Sequence, residues 1–479
     1  MRRTLAAAAV LTLAGLASIP AQERPDRSKP PALGPAPQLE LPPIQKHKLA
    51  NGLQVWMVEQ HEVPLVQVNL LVRAGSADDP AGKFGLASLT AAMLDEGAGS
   101  RSALQIADEI EFLGAALSSG SSFDASSLRL NVPVAKLADA LPVLADVALR
   151  PTFPSEDLER VRQERLTALL QARDDAAAVA PVAFARLLFG AQHRYGTAET
   201  GTEATLKSFS RDDLRAFHES RYRASASTLV VVGDIQPARV LPLLEQAFGG
   251  WKGAEAAPHA PLPKAAQSTA RQVYIVDMPG AAQSQVRIGW IGAARSTADY
   301  FTLQVLNTVL GGSFTSRLNQ NLREQHGYSY GAGSRFDMRL EAGPFFAGAG
   351  VQTDKTSEAL REFFKELTAI REAVKDDELA KAKNYIALGF PGQMETIGEL
   401  AARLEEMIVH GLPENYFERY IANIQAVRSA DVQKAAATYI QPDRFVVLVV
   451  GDRKVIEPGI RALDLGPVKV LSVAEALGS

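Results

Sequence analysis

Histidine and cysteine, the side chains that most often bind transition metals or act as activated nucleophiles, are sparse in this sequence. The chain of 479 residues has no Cys and seven His. The histidines are His47, His61, His193, His218, His259, His326 and His410. Because none has another His three to five residues away, the sequence excludes a zinc site built from a close His pair on one helix. Ligands scattered along the chain would need a different kind of site, and we interpret each isolated His as structural or surface-exposed.

The composition is typical of a globular protein with more than one domain. Hydrophobic residues make up 47% of the chain and charged residues 22%. The 50 Lys and Arg nearly balance the 54 Asp and Glu, which gives a formal net charge of −4. Since no strongly basic patch stands out, we do not expect a nucleic-acid partner. A chain of 479 residues is longer than one hydrophobic core usually holds, so at least two domains are expected.

The first 21 residues have the pattern of a secretory signal peptide. Arg2 and Arg3 form a basic start, and a mostly apolar run from Leu5 to Leu16 is followed by small residues. The run is too short to span a bilayer, and the alternative, a buried core helix, fits the two arginines less well. We therefore predict an exported, periplasmic protein without a membrane span, and without disulfides because it lacks Cys. The Pro-rich residues 22–46 are predicted to run extended.

Two pairs of strand-like segments indicate that the remaining chain is duplicated. QVWMV at Gln54–Val58 is similar to QVYIV at Gln272–Val276, and VVVGD at Val230–Asp234 is similar to LVVGD at Leu448–Asp452. Both pairs are separated by 218 residues. Either similarity alone is weak, because apolar strands look alike. One shared offset at opposite ends of a unit favours an internal repeat.

The repeat predicts the domain boundaries and the fold class. We place a first domain at 47–248, an Ala-, Pro- and Gly-rich linker at 249–270, a second domain at 271–460 and a C-terminal tail at 461–479. Strands at both ends of each unit, with helices between them, predict an α+β fold of two homologous repeats. Each repeat is expected to be a mixed, mostly antiparallel sheet with helices packed on one face.

Local signals predict individual elements of the first repeat. Ser102 and Gln105 form a capping box, and the helix that follows has apolar residues at helical spacing, including Leu104 and Ile110. The segment SSLRLNVP alternates between polar and apolar residues, which is typical of a strand with one buried face.

Four segments carry a resemblance to a known family. They are NGLQVWMVE, AGSADDPAGKFGLASLTAAML, PTF followed by EDLERVRQERL, and LGGSFTSRLNQNLREQHGYSYGAGSRF. With the order of the elements, they resemble the insulinase/pitrilysin family of peptidases, in particular its short bacterial members and the mitochondrial processing peptidase. The resemblance extends over roughly residues 45–455, and its most specific segment is Leu310–Phe336.

The resemblance implies where a zinc site belongs. Active members of the family have a helix with two His at i and i+4, which bind zinc from one face, and a Glu between them that acts on the bound water. A further Glu about 76 residues later completes the ligand set. In this chain, Ser88, Ala91 and Ala92 stand at the three helix positions, and Ala168 stands at the last. Glu164 lies nearby, but one carboxylate without imidazoles does not make a zinc site, so no metal is expected in this chain.

The resemblance also implies a substrate-binding pair in the second repeat. Active members use an Arg and a Tyr there to bind substrate backbone near the metal. Arg323 matches the Arg, and Tyr330 matches the Tyr by spacing, while Tyr328 matches by its Gly-Tyr context and stays a second candidate. Guanidinium and phenol donors are suited to holding a peptide carbonyl or an oxyanion. The alternative is that Arg323 is a solvated side chain beside an apolar stripe that includes Phe314.

Three functions are compatible with these residues. The first is a metal-free accessory subunit of a heteromeric (heterodimeric) zinc metallopeptidase, inactive alone, whose HxxEH-bearing partner subunit brings the zinc. The second is a non-proteolytic structural or peptide-binding protein of the same fold. The third, an independent hydrolase with a new site, is the weakest, because no GxSxG nucleophile elbow is expected and the chain has no Cys to act as nucleophile.

Overall fold

The computed structural model describes residues 41–251, 255, 257, 259 and 261–478. The predicted signal peptide, 1–21, and most of the Pro-rich segment lie outside the described residues. In the described chain, most β-structure forms two six-stranded sheets, one from each half, and helices pack against both.

The first sheet has the strand order β1-β2-β8-β3-β7-β6. Its strands are β1 (Gln45–Lys48), β2 (Gln54–Glu59), β3 (Leu65–Val72), β6 (Ala116–Ser121), β7 (Ser126–Pro133) and β8 (Ser227–Gly233). The pair β2–β8 is parallel and the other neighbours are antiparallel. A separate small hairpin consists of β4 (Gly97–Ala98) and β5 (Arg101–Ser102).

The second sheet has the strand order β11-β12-β10-β13-β9-β14. Its strands are β9 (Gln272–Asp277), β10 (Gln283–Ile291), β11 (Ser329–Phe336), β12 (Pro344–Gln352), β13 (Val446–Gly451) and β14 (Val468–Leu471). Two of its pairs, β13–β9 and β9–β14, are parallel and the rest are antiparallel. The predicted fold class, two mixed and mostly antiparallel sheets with many helices, is confirmed.

The two sheets repeat the same arrangement. In the first, β2 pairs in parallel with β8, with Gln54 opposite Thr228. In the second, β9 pairs in parallel with β13, with Gln272 opposite Val446. The two residues of the second pair are therefore each 218 positions after their counterparts in the first pair. The strands that follow are also equivalent, since β8-β3-β7-β6 and β13-β10-β12-β11 are both antiparallel throughout.

The helices fall between the strands of each half. In the first half they are α1 (Leu86–Ala92), α2 (Ala103–Phe112), α3 (Leu137–Leu149), α4 (Ser155–Ala172), α5 (Ala176–Phe189), α6 (Glu203–Ser208), α7 (Arg211–Arg221) and α8 (Pro237–Phe248). In the second half they are α9 (Tyr300–Leu310), α10 (Arg317–Asn319), α11 (Thr356–Ala369), α12 (Asp376–Gly389), α13 (Ile397–His410), α14 (Tyr420–Ala426), α15 (Ser429–Tyr439), α16 (Arg453–Ala462) and α17 (Val473–Leu477). Helix α10 continues as a π-helical turn over Gln320–Gln325.

One helix of each half packs against the sheet of the other half. Helix α5 of the first half packs on β10 and β13 of the second sheet, and its Val179 and Phe184 share a core cluster with Ile291 and Leu448. Helix α13 of the second half packs on β3 and β8 of the first sheet. Each sheet is therefore covered on one face by its own helices and on the other by a helix of the opposite half.

A buried polar seam lies where α13 meets the first sheet. Glu405 on α13 accepts hydrogen bonds from Asn69 Nδ2 on β3 and from Arg129 Nη2 on β7, both at 2.8 Å. Gln67 donates to Asn69 and accepts from Asn131, which extends the chain of bonds across the sheet. Since buried polar groups are costly without partners, these bonds favour one position of α13 on the first sheet.

Several expectations change at the level of single residues. The capping box at Ser102 is present, but Leu104 is 77% exposed, and Ile106 and Ile110 form the buried face of α2 instead. The segment predicted as a C-terminal tail, 461–479, contributes β14, which pairs with β9 and completes the second sheet. No helix within the described ranges is long and apolar enough to cross a membrane.

Candidate functional site

Helix α1, which the resemblance predicts to stand where active relatives have their zinc-binding helix, is fixed at its N-terminus by a buried acid. Asp79 accepts hydrogen bonds from the amides of Gly85 and Ala87, both at 2.7 Å, and pairs with the buried Arg194 at 3.1 Å. Burial raises the pKa of the Asp79 carboxyl to about 6, while Arg194 and the two amides act to lower it. Gly85 has φ +103, and a Cβ there would lie 2.6 Å from the carbonyl oxygen of Thr200, so this entry to the helix requires glycine.

The four positions predicted to have lost the zinc ligands are spread over two helices. Ser88, Ala91 and Ala92 lie on α1, where Ala91 is buried and Ala92 is half-buried. Ala168 on α4 is exposed. Glu164, the nearby carboxylate, is also exposed and accepts a hydrogen bond at 2.9 Å from Arg160 on its own helix. The Glu164 carboxylate therefore forms an ion pair on the exposed surface of α4.

An arginine that the sequence analysis overlooked joins the same two helices. Arg165 on α4 lies one turn before Ala168, and its guanidinium donates to the Ser88 hydroxyl at 3.2 Å and to the Ser88 carbonyl at 2.9 Å. These side chains do not fit a zinc ion, because three methyl groups and one hydroxyl offer no imidazole or carboxylate, and a cation lies beside them. In the described part of the chain, no group of three or more His, Cys, Asp or Glu is arranged to hold a metal. That the chain binds no zinc stays a prediction.

The predicted substrate-binding residues of the second half do lie together. Arg323 is in the π-helical turn, and Tyr330 is the second residue of β11, the outermost strand of its sheet. The Arg323 Cζ atom is 4.9 Å from the centre of the Tyr330 ring and 4.6 Å from that of the Phe314 ring. Tyr330 is 86% exposed and Phe314 is 59% exposed. The guanidinium therefore lies between two aromatic rings on an accessible surface.

Phe314 had been expected in an apolar stripe with the helix that follows it. The structure places it in the loop before α10, where helical spacing does not apply, and exposes its ring. Asn319 holds this loop against the sheet, because its side chain donates to the Phe314 carbonyl at 2.6 Å and accepts from the Ala332 amide at 3.2 Å. One asparagine thus links the loop of Phe314 to the strand of Tyr330.

Glycine permits the close packing that supports this edge. Gly311 ends α9, and its carbonyl accepts a hydrogen bond from the Ser334 amide of β11 at 3.1 Å. A Cβ at position 311 would clash with that amide and lie 2.6 Å from the Ser334 hydroxyl. The end of α9 therefore approaches the edge strand at backbone distance.

The second tyrosine candidate lies in a different environment. The Tyr328 ring stacks on the His326 ring, with centres 5.0 Å apart and planes 18° from parallel, and it packs against the core of the second half. The geometry groups Arg323 with Tyr330, while Tyr328 has a packing role. The roles of all three residues in binding substrate stay predictions.

The tyrosines flank a serine whose surroundings exclude a nucleophile elbow. Gly327-Tyr328-Ser329-Tyr330-Gly331 matches the letters G-x-S-x-G, which mark an exposed serine between a strand and a helix. Here the order is reversed, since a helical turn leads into a strand, and the Ser329 hydroxyl is buried without a hydrogen-bond partner. This finding weighs against an independent serine hydrolase at this motif.

Comparison with known proteins is consistent with the two-half fold. Residues 54–185 match the family model described as insulinase (peptidase family M16), and residues 208–386 match the one described as the peptidase M16 inactive domain. Together the two models cover more than half of the chain. The chain belongs to the insulinase family.

Individual relatives of this insulinase-family chain are distant but extend over most of it. A protein of Rickettsia bellii described as an uncharacterized zinc protease is 25% identical over 399 residues, which cover 81% of this chain and 93% of that protein. The non-peptidase homolog YmxG of Helicobacter pylori is 24% identical and covers 85% of this chain and 94% of its own length. A crystal structure described as the peptidase M16 inactive domain from Pseudomonas fluorescens matches with a TM-score of 0.79 at 25% identity, over 85% of this chain and 98% of that one.

The two groups of candidate residues are not joined directly. Among the contacts of the described residues, no hydrogen bond, ion pair or ring contact links Ser88 and Arg165 to Arg323 and Tyr330. One group belongs to α1 and α4 of the first half, and the other to the edge of the second sheet.

Proposed function

We propose that this chain is a metal-free accessory subunit of a heteromeric zinc metallopeptidase. In this proposal, a related partner subunit with an intact HxxEH helix brings the zinc, and this chain contributes Arg323 and Tyr330. The observation that carries the proposal is an asymmetry between the halves. The positions that would hold zinc have no ligand atoms suited to it, while Arg323 and Tyr330 lie side by side on an exposed sheet edge.

Arg323 and Tyr330 are suited to act on a peptide bound at that edge. Strand β11 is the last strand of its sheet, but its Ala332 and Ser334 amides already donate to Asn319 and Gly311, so we propose that side chains hold the peptide there. The guanidinium and the phenol are donors, and they would hold a peptide carbonyl and stabilise the oxyanion that forms when water attacks it. We also propose that the chain is exported to the periplasm, because the first 21 residues have the pattern of a signal peptide.

The test is cleavage by a reconstituted pair. The related HxxEH-bearing protein encoded in the same genome is co-purified with this chain, and peptide hydrolysis is measured with wild type and with the double variant Arg323→Ala, Tyr330→Phe. We expect the turnover to fall by about a hundredfold or more, since loss of one oxyanion donor has this size of effect. Tyr328→Phe is the matched control and should leave turnover nearly unchanged. Equal cleavage by wild type and the double variant would exclude the proposed role.

A second candidate is a non-proteolytic peptide-binding or structural protein. It is favoured by the Helicobacter pylori relative, which is itself described as a non-peptidase homolog. It predicts that no HxxEH-bearing protein co-purifies and that Arg323→Ala weakens peptide binding without any associated hydrolysis.

A further inference from the structure

Arg165 is a half-buried cation of the first half that has no anionic partner among the described residues. The side chain is half-buried, and its two hydrogen bonds to Ser88 are its only polar contacts in the portion of the chain that the structure describes. A guanidinium carries five N–H donors, so several remain available. Burial also lowers the pKa of this guanidinium, and no nearby carboxylate acts to raise it.

Acidic residues on and beside α4 form ion pairs with other arginines. Glu164 and Glu96 pair with Arg160, at the exposed side of α4. Glu159 pairs with Arg162 at 2.9 Å. A partly desolvated charge without a counter-ion is unfavourable, so the site is suited to an anion that comes from outside the chain.

A sheet edge contacts the helix to which Arg165 is hydrogen-bonded. Strand β6 is the outermost strand of the first sheet, and its Ser119 hydroxyl donates at 2.8 Å to the carbonyl of Ala91 on α1. The other strand edge of β6 has no strand partner among the described residues, so an extended peptide can pair along it. Such a peptide would run past α1, the helix whose Ser88 is held by Arg165.

We propose that Arg165, with the Ser88 hydroxyl, forms a carboxylate-binding site in the place where related peptidases hold zinc, and that its ligand is the C-terminal carboxylate of a peptide lying along β6. Arg binds carboxylates through paired N–H donors, and a serine hydroxyl adds one more. The first half would then retain peptides that end near α1, such as the N-terminal fragments that a peptidase releases. This inference concerns the isolated chain and needs neither a partner nor Arg323 and Tyr330.

The test is equilibrium binding to the isolated full chain, followed by fluorescence anisotropy. The probe is a labelled, β-prone peptide of about ten residues, long enough to pair along an edge strand. It is used with a free C-terminus, with a C-terminal amide, and as an amide that carries one internal Glu. We expect the free acid to bind about tenfold or more tightly than the plain amide, as for a charge-assisted hydrogen-bonded pair.

Variants assign the preference to Arg165. Arg165→Gln should bind the acid and the amide equally, whereas Arg160→Gln, on the same helix but paired at the surface, should keep the wild-type preference. Ser88→Ala should reduce the preference and provides a second variant if Arg165→Gln does not fold. Equal binding of acid and amide by wild type, or no binding of either, would overturn the proposal. Tight binding of the amide with internal Glu would show that a side-chain carboxylate is recognised instead of the C-terminus.

Discussion

Glu405→Leu is expected to destabilise the protein by about 2–3 kcal/mol, because it breaks the polar seam between the halves. Glu405 is 6% exposed and accepts from the Asn69 amide, which is 1% exposed, so the substitution leaves a buried donor without a partner. Such a loss costs about 1–3 kcal/mol. The second partner, the half-exposed Arg129, can turn to water, so its share should stay below about 1 kcal/mol.

A double-mutant cycle separates this seam from ordinary packing. Unfolding by guanidinium chloride is followed by the fluorescence of the three Trp residues for wild type, Glu405→Leu, Asn69→Leu and the double variant. The double variant should cost about 1–3 kcal/mol less than the sum of the single ones, since replacing both partners removes the unpaired groups together. Arg129→Gln should cost below about 1 kcal/mol. Additive effects, or a Glu405→Leu cost within about 0.5 kcal/mol of zero, would refute the reasoning.

Two further outcomes follow from the structure. Gly311→Ala should lower the melting temperature and reduce the free energy of unfolding by about 1–3 kcal/mol, because the new Cβ would clash with the Ser334 amide. Gly389→Ala is the control. A Cβ at position 389 meets no atom within 4 Å, so this variant should be neutral or stabilising. Burial lowers the pKa of His218 below its ordinary value of 6.5, so the unfolded chain takes up a proton first and stability should fall as the pH falls from 6.5 through the folded pKa. His218→Gln should lose this contribution, so the melting-temperature difference between wild type and variant should shrink on acidification; a constant difference would contradict the shift.

The sequence predicted those parts of the fold that depend on local pattern and on repetition. The shared offset of 218 residues correctly identified equivalent strands, because both copies keep the same buried apolar segments. The capping box at Ser102 was also correct. Burial of individual residues was less predictable. Leu104 lies two residues before Ile106, so at ~100° per residue it points away from the face that Ile106 and Ile110 bury.

The remaining features depend on contacts between distant segments. The local sequences of α5 and α13 do not predict that each helix covers the sheet of the opposite half, because an apolar helical face can pack on any apolar surface. Arg165 was not among the predicted site residues, because the candidates were residue types that bind zinc and arginine is not one of them. Its position one turn before Ala168, on the helix that should face α1, was the available signal.

We propose that this chain contributes to proteolysis only beside a zinc-binding partner. It is tested most directly by measuring zinc content and peptide hydrolysis for this chain alone, for the HxxEH-bearing partner alone and for the mixture. The account predicts stoichiometric zinc on the partner, no stoichiometric zinc on this chain, no cleavage by this chain alone, and much faster cleavage by the mixture than by either protein. One zinc ion bound to the isolated chain, together with peptide cleavage by that chain alone, would contradict it.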